Sequence, residues 1–255
     1  MIFFFGLKTE IFKSALTIPR FQLRGKIIDD CELYSANINK DSWEIKKVIC
    51  KKNNRFYFVD ENEINNNKFF FLAKIEDLEK MKKNNNKQFL NLNNYTDTDP
   101  AYRGNFKIFI KNGGFSSFQS EYPYAMLTKK GSTLSPLSHV TNKDADYNKI
   151  FIRNIYEYPI KDNFDLFFIN MNSKKVVFKT KLQTNTFNEI DLENKFIEPE
   201  IYMYCKNYLS APIFVSVKNN HVACEHTHPL YDYIPTKDGY KIIASLKKEL
   251  NEITN

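Results

Sequence analysis

Apolar and polar positions along the chain fall into many short runs. Up to about residue 73, the segments "RFQLRGKII", "CELYSANI", "SWEIKKVICKK", "RFYFVD" and "KFFFLAKI" are rich in aromatic and β-branched side chains, with Asn and Asp clusters between them. Such runs predict short antiparallel strands joined by turns. Over Ile75 to Lys83, "IEDLEKMKK" places apolar residues at 75, 78 and 81 and acidic residues ahead of basic ones, which predicts a short helix. Residues 84–104 are polar and Asn-rich around two apolar islets, the composition of a linker or long loop. The pattern therefore predicts a small N-terminal β domain over 1–83, with its helix, a linker over 84–104, and a larger domain over 105–255.

The second region continues in short strands. Asn112, Gly113 and Gly114 supply positions tolerant of positive φ between two of them. Further strands are expected at 149–157, 164–171, 175–182, 187–192, 200–207 and 211–219. The pair 164–171 and 175–182 is joined by "NSKK", and the second member alternates Val177, Lys179 and Lys181 with Val176, Phe178, Thr180 and Leu182. One face should be buried and the other wet. Many short strands at this spacing predict a mostly β fold built on an antiparallel β-sandwich, Ig-like or jelly-roll-like. "DGYKIIASLKKELNEI" then predicts a C-terminal helix with Tyr240, Ile243, Leu246 and Leu250 on one stripe and Asp238 as N-cap, covering an edge or open end of the sandwich.

Composition changes this picture little. The chain has 23 Phe and 15 Tyr against one Trp, which suits strands. Its net charge of +7 invites a nucleic-acid reading, but Asn, Lys, Ile, Phe and Tyr all come from A/T-rich codons and no nucleic-acid motif accompanies the charge. Nucleic acid is not an expected partner. "MIFFFGLKTE" is too short an apolar run for a signal sequence or a span, so no membrane association and a cytoplasmic location are expected. Cys31, Cys50, Cys205 and Cys224 show no CxxC spacing and are expected as reduced thiols.

Candidate chemistry concentrates in "HVACEHTHPLYDY", residues 221–233, which holds three of the four histidines. On an extended strand His226 and His228 project from one face, and two imidazoles at i and i+2 can chelate one divalent transition metal, with Asp232 completing the set. The spacing Asn220, five residues, His226-Thr-His228, three residues, Asp232, six residues, Gly239 is similar to the first cupin motif, with Asn in place of Gly and Asp in place of Glu. That resemblance implies a metal-dependent enzyme with His226, His228 and Asp232 as ligands in a barrel. A cupin supplies a further His from a second motif, and "GSTLSPLSHVTN", with His139, departs from that motif's spacing. The simpler reading is a polar rim in which the imidazoles bond carbonyls, carboxylates or water. Cys224 beside His226 also suggests a Cys–His pair, although a buried structural thiol fits the surroundings better.

A second candidate is "GGFSSFQSEYPYAM". Ser116, Ser117, Gln119, Ser120, Glu121 and Tyr122 gather hydroxyl, amide and carboxylate groups beside aromatic rings, a mix suited to sugar recognition. The alternative is that Phe115, Phe118, Tyr122 and Tyr124 are core and the serines are solvated. Arg153, inside "IFIRNIYE", needs a partner or faces a ligand unless its strand is an edge. Asp144/Asp146 and Glu198/Glu200 read as solvated turn carboxylates. No nucleophile elbow, P-loop or dinucleotide fingerprint is present. Whether the chain is an enzyme stays open. The leading expectation is a non-catalytic binding or accessory module for a carbohydrate or other small polar ligand at Ser116, Ser117, Gln119, Glu121, Tyr122 and Arg153. The alternatives are a cupin-like metal-dependent enzyme and a basic structural or interaction protein.

Overall fold

The structure is a computed structural model that describes residues 1–22, 26–27, 30–96, 103–119, 121–128, 131–137, 141–226 and 237–255. Its strands in chain order are β1 (Ile2–Phe5), β2 (Phe12–Pro19), β3 (Phe21–Gln22), β4 (Lys26–Ile27), β5 (Glu32–Asn39), β6 (Ser42–Lys47), β7 (Lys51–Lys52), β8 (Phe56–Val59) and β9 (Phe69–Ala73). Helix α1 (Ile75–Lys83) follows, then β10 (Asn105–Ile110), β11 (Phe115–Gln119), β12 (Glu121–Pro123), β13 (Ser132–Pro136) and β14 (Tyr147–Arg153). The chain closes with β15 (Asn163–Asn170), β16 (Lys175–Gln183), β17 (Phe187–Leu192), β18 (Ile201–Lys206), β19 (Ala211–Lys218), β20 (His221–His226) and α2 (Gly239–Ile253). Left-handed residues make several of the turns: Asn219 and Asn220, at φ 49° and 61°, close the hairpin between β19 and β20.

The expected β-sandwich is corrected. Four small antiparallel sheets are arranged as a four-bladed β-propeller. Their strand orders are β12-β1-β9-β5-β6, β11-β10-β2-β8-β7, β13-β18-β15-β16 and β17-β14-β19-β20, beside a two-stranded ribbon of β3 and β4. The decisive sheet is the last. Phe151, Phe187, Ile213, Val215, Val217 and Val222 face a core shared with the first two sheets, while Ile150, Ile152, Ile190, Leu192 and Phe214 face a second core shared with β15, β16 and β18. A two-layer sandwich would leave one face of this sheet wet. Here the central strands β14 and β19 bury side chains on both faces, because the sheet stands between neighbours, while the edge strand β17 keeps Glu189 and Asp191 exposed.

Sheet membership also crosses residues 84–104. β10 pairs with β2 and β12 with β1, so strands after the Asn-rich stretch complete the N-terminal sheets. The stretch itself is partly core. Phe89, within one of its apolar islets, is fully buried, with its ring 5.0–6.0 Å from those of Phe3, Trp43, Phe69 and Phe71. Its N–H donates to the Glu157 carbonyl at 2.7 Å.

Helix α1 has its expected bounds, and of its expected stripe Met81 is fully buried and Leu78 packs against the core. Ile75 is exposed, whereas Asp77 is buried, accepting from the Lys74 N–H at 3.2 Å and from the Tyr95 hydroxyl at 2.6 Å. Helix α2 lies across a sheet face rather than an edge: Leu250, Leu246 and Ile253 pack on Leu134, Phe167, Ile169 and Tyr204, and Tyr240 is exposed. Asp238 stands at its N-cap without a side-chain cap bond.

If the described part of this stretch, 84–96, is core rather than linker, Phe89→Ala should cost about 3–5 kcal/mol in denaturant unfolding, the loss typical of a buried Phe. A loss below about 1 kcal/mol would return the segment to the status of a loop.

Candidate functional site

The predicted site residues are partly brought together. β11 lies beside β20, with the Gly114 N–H donating to the Asn220 carbonyl at 2.8 Å and the Ser116 hydroxyl to the Cys224 carbonyl at 3.4 Å. The approach needs glycine: a Cβ on Gly113 would stand 2.7 Å from the Asn220 carbonyl oxygen. Two segments far apart in sequence therefore share one seam. Of the histidine cluster, however, His221 is described and exposed at the start of β20 and only the backbone of His226 is described; His228, Asp232, His139 and Ser120 lie outside the described residues. Among the described residues, no group of three or more His, Cys, Asp and Glu side chains is placed to hold a metal. Burial pushes the Cys224 thiol up to about 11, the direction opposite to an activated nucleophile.

The remaining predicted residues point in different directions. Ser117 is exposed on β11. Gln119 accepts from Arg103 at 2.7 Å, and Glu121 accepts from the Gly104 N–H at 3.3 Å. Tyr122 is fully buried and clamps the two halves of the chain: its hydroxyl reaches the Leu209 carbonyl at 2.9 Å and accepts from the Ile155 N–H at 3.2 Å. Its role is packing and hydrogen bonding within the core. Arg153 is neither on a wet edge nor facing a ligand. It is fully buried, its guanidinium donates to the carbonyls of Asn66 and Lys68, and it sits 5.5 Å from the centre of the Phe187 ring. Burial lowers its pKa, and the two carbonyls with the ring face supply the compensation. Asp146 accepts from the Asn219 N–H at 2.7 Å and Glu198 pairs with Lys143 at 2.6 Å, as turn carboxylates do.

A cleft that the sequence did not mark gathers more chemistry. It begins with a polar knot. Asn185, left-handed at φ 59°, donates to the carbonyls of Tyr158 and Ile160 at 2.9 and 2.8 Å and accepts from the Tyr156 N–H at 2.8 Å. Next to it, the Thr184 hydroxyl accepts from the Asp162 N–H at 2.8 Å and donates to the Ile160 carbonyl at 2.9 Å. Loop 154–162 is thereby fastened to the turn between β16 and β17. The fastening fixes Asp162 where the Tyr208 hydroxyl donates to its carboxylate at 2.6 Å. Burial first, and then that carboxylate, push the Tyr208 pKa up, so the hydroxyl stays a donor.

Around this pair opens a cavity of about 400 Å³. Asp162 and Asn163 enter from the start of β15, with Asp165 and Phe167 beyond them; Lys181 comes from β16; Lys206, Asn207 and Tyr208 come from the end of β18; and Thr254 closes it at the end of α2. Asp165 and Lys181 are register partners across the β15–β16 hairpin. Phe164 packs against Tyr208 at 5.0 Å between ring centres, and both rings are almost fully buried in the core behind the cavity. The carboxylate of Asp165 meets Lys179 at 3.1 Å, and Lys206 donates to the Asn255 side chain at 2.5 Å. Carboxylates, ammonium groups and amides thus converge on one space. The set can donate and accept several hydrogen bonds to a polar molecule.

No family model, no curated protein and no solved structure matches this chain.

Glu121 generates a pH prediction. Burial raises its carboxyl above the ordinary 4.5, against the opposing Gly104 N–H and Arg103 charge. A carboxyl raised by folding favours the folded state while protonated, so its contribution is full below the unfolded pKa and is lost as pH rises through the folded one. Glu121→Gln should flatten the decline in unfolding free energy across that window; an unchanged pH profile would show that Glu121 is not the group responsible.

Proposed function

We propose that the chain is a non-catalytic binding module for a small polyhydroxylated ligand of the carbohydrate type, held in the cleft between β15, β16, the end of β18 and the end of α2. The supporting observation is the convergence of Asp162, Asp165, Lys181, Lys206 and Asn207 on a cavity of about 400 Å³. That volume falls in the usual range for small-ligand sites. Sugar hydroxyls bond carboxylates, amides and ammonium groups, each of which stands here. The ligand class rests on this side-chain chemistry alone. No helix among the described residues is long and apolar enough to cross a membrane. All four cysteines are free, which supports a reducing, cytoplasmic setting for the module.

The cupin-like alternative receives less support. Its ligands His228 and Asp232 lie outside the described residues, and the four-bladed arrangement is not the barrel that the resemblance implies.

A glycan array followed by calorimetry of the strongest ligand tests the reading. Lys181→Ala and Asp165→Ala should each weaken binding about tenfold or more, the effect of removing a hydrogen bond to a charged group, with the thermal midpoint little changed because Lys181 is exposed. Binding that is indifferent to both substitutions, or no glycan bound at millimolar concentration, would remove the cleft as the site.

A further inference from the structure

The sheet that forms the floor of the cleft ends in an open strand. β16 is nine residues long and pairs on one side only, with β15. No backbone hydrogen bond reaches its other side over 175–182 among the described residues. At about 3.3 Å per residue these eight positions leave roughly 26 Å of unpaired strand edge, with a bulge at Val177. Its side chains are unusual for such an edge: Val176 and Val177 are 38% and 41% exposed, and Lys175, Lys179 and Lys181 are exposed around them. β16 contains no acidic residue. Lys175 and Lys181 have no carboxylate within 4 Å among the described residues, and the preceding Lys174 is answered by Glu249 of α2 at 2.6 Å.

We infer that β16 is a docking edge for an extended, acidic segment of another protein, which adds antiparallel to the sheet as a fifth strand. An open edge supplies alternating N–H donors and C=O acceptors that only another extended backbone can pair in full. Lys175 and Lys181 are the lysines that acidic residues of an added strand would meet, since Lys179 is already paired with Asp165 at 3.1 Å. Exposed valines beside them give the incoming side chains apolar contact. The same lysines disfavour a second β16, since a symmetric pairing would set lysine rows against each other. The acidic edge β17 of another copy is a poorer fit, because its Glu189 and Asp191 are already held by Lys149 at 2.7 and 2.5 Å. Lys181 lines the cleft as well and Lys179 pairs with the cleft carboxylate Asp165, so the test below substitutes Lys175 alone.

The experiment uses a fluorescent acetylated peptide alternating Glu and Val over seven residues, a copy N-methylated at every second amide, and a single-stranded oligonucleotide of equal charge. Fluorescence anisotropy should show the unmodified peptide binding, with about tenfold weaker binding for the N-methylated copy and for the Lys175→Glu protein, whose thermal midpoint is checked in parallel. Hydrogen exchange should slow at amides of 175–182 when the peptide is added. The inference is overturned if no peptide binds at millimolar concentration, if protection appears elsewhere, or if the N-methylated peptide or the oligonucleotide binds equally well. Concentration-dependent dimerisation of the free protein with protection at β16 would equally overturn it, by giving the edge to a second copy.

Discussion

The structure depends on one sheet whose central strands bury side chains on both faces. β14 and β19 form its centre, and their paired residues alternate between two cores: Phe151 opposite Ile213 on one side, Ile150 opposite Phe214 on the other. Burial of side chains on both faces removes more apolar surface from water per strand than a half-wet sheet can, at roughly 25 cal/mol per Å². A charge on the central strands therefore needs partners: Lys149 of β14 has Glu189 and Asp191, and the buried guanidinium of Arg153 has two loop carbonyls and the Phe187 ring, with its Nε left without a partner. Tyr122 solves the related problem of joining the halves, using its hydroxyl to satisfy backbone groups of 155 and 209 that would otherwise be buried without partners.

Much of the secondary structure was legible in the sequence, and its assembly was not. The strands from 149 onward and both helices follow from aromatic and β-branched runs, turn residues and helical spacing. Strand periodicity says which residues share a face but not what covers that face. β14 and β19 carry near-continuous apolar runs, which indicate burial on both sides; that signal argued against a two-layer sandwich and was outweighed by the number and spacing of the strands. The same limit applies to residues 84–104. Asn-rich composition suggested a linker, while Phe89, inside an apolar islet, is the residue that four aromatic rings enclose.

The cleft was missed for a related reason. Asp162, Lys181, Lys206 and Tyr208 are separated in sequence by up to 46 positions and match no motif. Even the hairpin pair was out of reach: the turn at "NSKK" alone would set Asp165 opposite Thr180, and a bulge at Val177 shifts the register so that Lys181 faces it. The remainder needs the loop before β15 to be tied down by Thr184 and Asn185, a tertiary contact that no local pattern announces. The histidine segment had the opposite character, conspicuous in sequence because like residues cluster there, although clustering says nothing of what the side chains face.

The geometry of α2 explains why cleft and open edge occur on the same sheet. An α-helix is about 10 Å wide, whereas neighbouring strands are about 4.8 Å apart, so one helix covers about two strand spacings of a sheet. Packing on Leu134, Tyr204, Phe167 and Ile169 places α2 over β13, β18 and β15 and leaves β16 beyond its reach. The helix also stops at Ile253, short of the end of the sheet where Lys206, Asn207 and Tyr208 emerge. An uncovered strand on a four-stranded sheet must be polar outward, and Lys175, Lys179 and Lys181 meet that requirement without any acidic neighbour on their own strand. The positive character of this surface is therefore local in origin. It comes from the mismatch between one helix and four strands rather than from the chain's overall charge.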